Sequence, residues 1–407
     1  MTAKPQRALP TPPAPLPDFH SQAFHADPFA SLARVRAESP VFYLEAEFAA
    51  MWLITGFEEA SEALRDPRLS AGATRHVAVR PGSEIFERLM PEHLLNSDPP
   101  DHTRLRRLIS QAFTPRFVEQ RRARIQALAD ELIDAVASRG AMDFVADFAL
   151  PLPIIVIAEL LGVPAADRDL LKRWSELVFR ALSRPASDDD LAQAERFAAY
   201  IDHLVSKKRA APEDDLISRM VTVEDEGSRL SDRELLSMIV LLIFAGHETT
   251  AKLLSNSLLA LVSNPDQLAL LTADPARIPA AVEELLRVCG PVLGVTPRFA
   301  LEPIELGGHT IHPGEMVMIC VGAANRDPQA FAGPDQLDFD RPAQKHLAFG
   351  RGIHFCVGAP LARLEAEIAL ATLLRRLPDI RLACAPHELS WEGNISLRGP
   401  VEIPVRF

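Results

Sequence analysis

Along most of the chain, apolar positions recur at spacings of three and four, the period of a helix with one buried face. Arg104–Phe113, Phe117–Ser138, Asp167–Leu182, Asp190–Lys208 and Ile278–Val288 follow that pattern and are expected to be helical. Ahead of them, Pro40–Leu44 and Met51–Thr55 are short β-branched and aromatic runs separated by a few small and acidic residues, which predicts a hairpin. Beyond Pro291 the helical period gives way to strand candidates at Pro303–Leu306, Met316–Val321 and Val401–Phe407 and to an aperiodic stretch over Asn325–Gln344. A last helix, Ala359–Leu377, stops at Pro378.

The stretch Leu230–Pro265 predicts the element that organises the rest. Ser231 and Glu234 form an S-x-x-E capping box and Asn264-Pro265 supplies a stop, so a helix of about 30 residues, roughly 45 Å long, is expected to cross the whole molecule. Its middle, Met238–Ala245, is apolar all round, which predicts burial on every side. The uninterrupted run Leu235–Gly246 falls well short of the roughly 20 residues a bilayer span needs, so no membrane anchor is expected. Met1–Pro17 carries six prolines and no signal-peptide core and is expected to be a poorly ordered arm before a single large domain over 18–407.

Of the 407 residues, 48% are hydrophobic and 24% charged, enough to build a sizeable core. A formal charge of -12 makes a nucleic-acid partner a poor expectation. The four cysteines, Cys289, Cys320, Cys356 and Cys384, are too scattered for a disulfide framework or a cysteine-rich zinc site, and a reducing cytoplasm is the expected setting.

Candidate chemistry lies in four places. Phe349-Gly350-Arg351-Gly352-Ile353-His354-Phe355-Cys356-Val357-Gly358 is a glycine-punctuated loop that delivers a cysteine just before a helix, where glycines permit tight turns and a helix N-terminus favours a thiolate. A lone cysteine is more often a small buried hydrophobe, and that reading stays open on these residues alone. Within the long helix, Ala245-Gly246-His247-Glu248-Thr249-Thr250 puts a glycine, costing about 1 kcal/mol against alanine, beside an acid and two hydroxyls. Either Glu248 reaches solvent and Thr249 merely packs, or the segment makes room for a ligand through hydroxyl-to-carbonyl bonds four residues back. Glu284 and Arg287 sit three apart on one helical face, the spacing of an ordinary surface salt bridge. Asp98-Pro99-Pro100-Asp101-His102-Thr103-Arg104-Leu105-Arg106 places His102 and Arg106 on one face of a helix that starts after the prolines.

Taken together these segments resemble the cytochrome P450 family. The cysteine loop is similar to F-x-x-G-x-[HR]-x-C-x-G at Phe349, Gly352, His354, Cys356 and Gly358, and the helix segment is similar to the oxygen-activation motif [AG]-G-x-[DE]-T-[TS]. Glu284-Leu285-Leu286-Arg287 matches E-x-x-R, the acidic run matches D-P-P-[ED]-H-x-x-x-R, and Pro297-Arg298 matches a further family position. The resemblance runs from near Val41 to Pro400 with four separated motifs in the family's order, and it is similar to the soluble bacterial branch.

The resemblance implies a mainly α fold with small β-sheets, one large domain and a long central helix. It implies haem b ligated by Cys356, with propionates met by His102, Arg106, Arg298 and His354, and haem contacts from Leu95, Ala245, Gly246, Thr249, Thr250, Ala348, Phe349, Gly350 and Gly358. Thr249 would hydrogen-bond iron-bound dioxygen while Glu248 helps deliver protons. Glu284 and Arg287 would join Arg341 in a buried scaffold network. The implied reaction inserts one oxygen atom from O2 into a small, largely apolar substrate, by hydroxylation or epoxidation. Electrons would come from a ferredoxin and its reductase docked near Arg107, Lys345 and Arg351, and a monomer is expected. Two rivals are a peroxide-driven peroxygenase and a haem-thiolate sensor without turnover. Pocket walls are expected from about Leu69–Leu95, Trp174–Leu182, Ala245, Val292–Thr296, including Val292, Leu293 and Val295, and Ile395–Leu397, including Ile395 and Ser396.

Overall fold

The computed structural model describes residues 18–407 except 20, 47–48, 73–82, 182–184 and 343–344. The expected arm over 1–17, part of the 69–95 loop and Leu182 lie outside the described residues.

The hairpin expected early in the chain is strand β1 (Val41–Ala46) paired antiparallel with β2 (Ala49–Ile54), Val41 opposite Ile54. A short β3 (Leu69–Ser70) follows, and then the chain turns helical: α1 (Asp101–Ala112), α2 (Arg122–Ala137), α3 (Pro151–Leu161), α4 (Arg168–Arg180), α5 (Asp188–Ala210), α6 (Asp232–Val262) and α7 (Ile278–Cys289). It returns through β4 (Arg298–Ala300) and β5 (Met316–Ile319), passes into α8 (Ala359–Arg376), and closes with the hairpin β6 (Trp391–Gly393) and β7 (Arg398–Pro400). β5 lies parallel to β2, Met51 beside Met316, in a sheet of order β1-β2-β5-β4-β3. A parallel pair needs a crossover, and here the crossover is the whole helical body.

Three apolar centres hold these layers together, one of them around Phe42, Leu44, Leu53 and Met318. The largest joins α1 to α8 around fully buried residues such as Phe117, Phe144, Phe148 and Phe197, and a second, under the sheet, gathers Trp52, Ile54, Val317 and Ile319.

Helix α6 has 31 residues, about 46 Å of rise, and starts at the expected capping box: Glu234 N–H donates to Ser231 Oγ at 3.2 Å and Ser231 N–H donates to Glu234 Oε2 at 2.8 Å. It is the one described helix long and apolar enough to cross a membrane, and it packs instead against α3, α4 and α8, mostly buried.

Two expectations fail. Met238–Ala245 is not buried on every side, because Leu242, Phe244 and Ala245 are only partly covered; Leu242 and Ala245, with Gly246 and Thr249, form one partly exposed stripe at helical spacing. The helix expected over Phe117–Ser138 is broken into Pro115–Glu119 and α2. At the break Arg121 N–H donates to Val118 O, one residue short of the α-helical partner, so the axis shifts while the apolar spacing carries on.

Candidate active site around Cys356

The cysteine loop is shaped by two left-handed glycines. Gly350 and Gly352 have φ of 70° and 73°, and a Cβ on Gly352 would stand 2.7 Å from the Leu64 carbonyl oxygen. Only glycine satisfies both demands at 352. The loop is closed by Cys356 N–H donating to Phe349 O at 3.0 Å, and α8 begins three residues later with Pro360 in its first turn. Beyond Phe349, Arg363 lies over the ring at 4.6 Å and donates to Glu283 at 2.6 and 2.8 Å. Burial opposes ionisation of Glu283, yet the bonds from Arg363 and His346 hold its carboxyl at about 2.

Cys356 differs from the other thiols. Cys289 and Cys320 are buried, which pushes them up to about 11 and about 12, and both are spent as small hydrophobes. Cys356 is an exposed residue, so the reading as a buried packing residue does not hold for it. Protein packed behind the sulfur raises its pKa, while the Gly358 and Ala359 amides and the charges of Arg106 and Arg363 pull the other way. Amides and cations behind an open sulfur suit a thiolate that completes its coordination with a metal in front.

Near this sulfur the rim is cationic. Arg298 is only 6% exposed, and burial pushes its guanidinium down to about 10 against the pull of Asp98. Asp98 is itself occupied by the Ser70 hydroxyl and the amides of Ala71 and Gly72. Arg106 donates to the Phe355 carbonyl at 2.7 Å, and the rings of His102 and His354 stand 4.3 Å apart. Burial and then Arg298, His102 and Arg106 drive His354 down to about 2, and His102 is lowered by burial and by Arg106 and Arg298. Both His354 ring nitrogens and Nε2 of His102 are buried without a hydrogen-bond partner. Two arginines and two imidazoles, with orphaned nitrogens and little counter-charge, fit a dianionic group.

On the opposing wall, Thr249 Oγ1 donates to Ala245 O at 2.7 Å and Thr250 Oγ1 to Gly246 O at 3.3 Å. These bonds form inside a helix that stays unbroken from Asp232 to Val262, so any loosening is local. Gly246 serves packing as well, since a Cβ there would sit 3.3 Å from Ile157 Cδ1 on α3. Glu248 does not reach solvent as a free carboxylate: Lys252 Nζ stands 3.1 Å from Oε1 and His247 Nε2 stands 3.7 Å from Oε2. Lys252 went unnoticed in the sequence, although the Glu–Lys spacing of four on a buried helix was there to find it.

Glu284 and Arg287 are not a surface pair. At 7% and 3% exposure they form a bidentate bridge of 2.7 and 2.8 Å, and Arg341 Nε joins Glu284 Oε1 at 3.0 Å. The spare guanidinium donors reach the carbonyls of Asn325, Ala332, Gly333, Pro334 and Gln336. The aperiodic stretch after Asn325 is thus held by charge-assisted bonds in place of secondary structure.

The expected pocket segments meet: Leu293 N–H donates to Ser396 O at 2.8 Å, and Val292 bridges Leu397. Val292, Val295, Ile395 and Ser396 are partly exposed. Leu293 is a correction. Neighbouring side chains of an extended segment point opposite ways, and Leu293, 1% exposed, turns into the core with Phe42, Leu44 and Met318. Leu95 and Ala348 pack half-buried against the large core. A cavity of about 640 Å³ between the end of α6, α7 and β7 contains none of these residues.

The cytochrome P450 family model matches residues 173–274 and 277–378. The cytochrome P450 monooxygenase PikC of Streptomyces venezuelae is 44% identical over 95% of this chain and 92% of its own length. The polyketide biosynthesis cytochrome P450 PksS of Bacillus subtilis is 42% identical over 95% of this chain and 97% of its own, and its solved structure superposes with a TM-score of 0.88 at 40% identity, covering 95% and 98% of the two chains. The myxobacterial cytochrome P450 CYP267B1, solved with myristic acid, gives a TM-score of 0.88 at 42% identity over 96% and 99%. By fold, by sequence and by the activity its relatives share, the chain belongs to the cytochrome P450 family and is a P450 monooxygenase.

Proposed function

We propose that Cys356 ligates haem b and that the enzyme inserts one atom of O2 into a largely apolar substrate of polyketide or fatty-acyl type, with electrons from a ferredoxin and its reductase. The observation that carries this reading is the open Cys356 sulfur, backed by two amides, beside the rim of Arg106, Arg298, His102 and His354. Iron bound there supplies oxygen activation, favoured by an anionic sulfur donor. The chain does the rest. Arg298 and Arg106 neutralise the propionates, and the orphaned nitrogens of His102 and His354 give them hydrogen-bonding partners. Thr249, with its hydroxyl donating to Ala245 O, holds a local bonding site at the partly exposed stripe of α6, and Glu248 sets an ionisable carboxyl group one residue away. Val292, Val295 and Ile395 form an apolar wall that excludes water, and with Ser396 they orient substrate.

The substrate class rests on the relatives: PksS acts in polyketide biosynthesis, and CYP267B1 was solved with a fatty acid. Docking of the ferredoxin is placed on the Cys356 side, where Ile353 and Phe355 are exposed apolar residues beside Arg351 and Lys345. Arg107 contributes less there, being paired with Asp225 and Glu226. Four free thiols support a reducing, cytoplasmic setting.

Turnover separates this reading from its rivals. Product from a macrolactone or fatty-acid panel with NAD(P)H, ferredoxin and reductase is the expected result; product with peroxide alone would identify a peroxygenase, and no product under either supply a binding protein.

A further inference from the structure

Lys252 is a lysine where the fold has least use for one. It lies in the middle of α6, 4% exposed, and its Nζ is 3.1 Å from Glu248 Oε1 and 2.6 Å from Glu392 Oε1. Glu392, on β6, has a side chain 51% exposed, so a continuous carboxylate, ammonium, carboxylate row runs from the active-site acid to the surface. The fold makes room for it. Glu392 pairs with Gly399 across the β6–β7 hairpin, and a Cβ on Gly399 would come within 2.7 Å of Lys252 Cγ and 3.0 Å of Cδ. Any other residue at 399 would displace the lysine stem.

Other charges nearby do not replace it. His247, 3.7 Å from the second Glu248 oxygen, is driven toward the neutral form by burial, and its Nδ1–H donates to Ile243 O at 2.9 Å with the Ser175 hydroxyl 3.5 Å away; Glu176 on α4 acts on it from further off. Arg398, on the same hairpin, is turned toward the carbonyls of His25 and Ala26 and the rings of Phe29 and Trp391. Lys252 is therefore the cation that faces Glu248. A buried ammonium carries a desolvation penalty that an apolar residue would avoid, and its retention fits a positional role.

We infer that Lys252, clamped by Glu392 beneath Gly399, is a positioning residue that holds Glu248 at the surface end of its range and so governs proton supply to the Thr249 hydroxyl. The inference rests on the monooxygenase reading of Glu248 given above. In it the Glu248 carboxylate, held by Lys252 and Glu392, takes up its proton from solvent on the hairpin side and releases it on the pocket side.

The test compares Lys252→Met, Lys252→Arg, Glu392→Gln and Glu248→Gln in the haem-loaded enzyme with ferredoxin, reductase and NAD(P)H. For Lys252→Met, kcat falls about tenfold, its solvent deuterium isotope effect rises, and KM stays within twofold. Glu392→Gln moves the same way by a smaller factor, and Lys252→Arg, which keeps the charge, restores most of the rate. A thermal-unfolding cycle needs no turnover: Glu392→Gln lowers Tm in the parent and leaves it unchanged in the Lys252→Met background. If Glu248→Gln slows turnover while Lys252→Met keeps the parental kcat and isotope effect, the positioning role is overturned and the reading of Glu248 stands. If Glu248→Gln itself leaves both unchanged, that reading fails and the inference with it. Additive Tm effects of Lys252→Met and Glu392→Gln would overturn the clamp directly.

Discussion

The two walls of the active site are built by different means. On the sulfur side, backbone and charge fix nearly every atom: left-handed glycines at 350 and 352, the Cys356 to Phe349 bond, and the buried Glu284, Arg287 and Arg341 network that pins the chain after Asn325. On the substrate side the backbone is bonded as well, Leu293 N–H to Ser396 O and Val295 N–H to Ile319 O, but Val292, Val295 and Ile395 present partly covered apolar side chains that form no hydrogen bonds. The first wall tolerates almost no change of residue type, and the second accepts any side chain of suitable volume. A family can in this way keep one cofactor site and vary its substrate.

Breaking the rigid wall should have the largest effect. Glu284→Ala leaves Arg287 and Arg341 buried without their carboxylate and is expected to destabilise by about 3–5 kcal/mol, seen as poor haem retention and a Tm lowered by many degrees. A Tm within a degree of the parent would mean that the network does not hold the loop. Gly352→Val comes next: φ of 73° and the approach to Leu64 O together predict a loss of about 1–3 kcal/mol, measured by denaturant unfolding.

Glu365 sharpens the comparison with an opposite sign. On α8, behind the sulfur wall, both its carboxylate oxygens are buried without a partner, and burial raises its pKa well above the ordinary value. The folded state then binds a proton that the unfolded state has released above about pH 4.5. Stability falls by about 1.4 kcal/mol per pH unit from there up to the folded pKa and levels off beyond it. Glu365→Gln is expected to unfold at higher temperature than the parent at pH 8 and to match it more closely at pH 5; parallel pH profiles would rule this out. The smallest effect belongs to the soft wall. Val295→Ala should change stability by less than about 1.5 kcal/mol while altering the substrate-induced Soret shift across a ligand panel.

How much was legible in the sequence follows the same division. The cap of α6 at Ser231 and Glu234 and the glycine loop around Cys356 are local signals, and both stand in the structure where the residues place them. The break at Gln120 was hidden because hydrophobic spacing continues across it while one hydrogen bond changes partner. Leu293 was misplaced because its segment has no period from which to tell the wall side from the core side. The partly exposed stripe on α6 was missed for a related reason, since an apolar residue that stays partly exposed and one that packs in the core look alike in sequence. Lys252 meets Glu392 only through the fold, and no local pattern joins positions so far apart.

The sulfur itself gives the most direct test. Reduced protein exposed to carbon monoxide should show the red-shifted Soret band of thiolate-bound haem, and Cys356→Ser, loaded with haem to the same extent, should lose that band. A Cys356→Ser protein that kept it would contradict the assignment of the ligand and, with it, the site described around that residue.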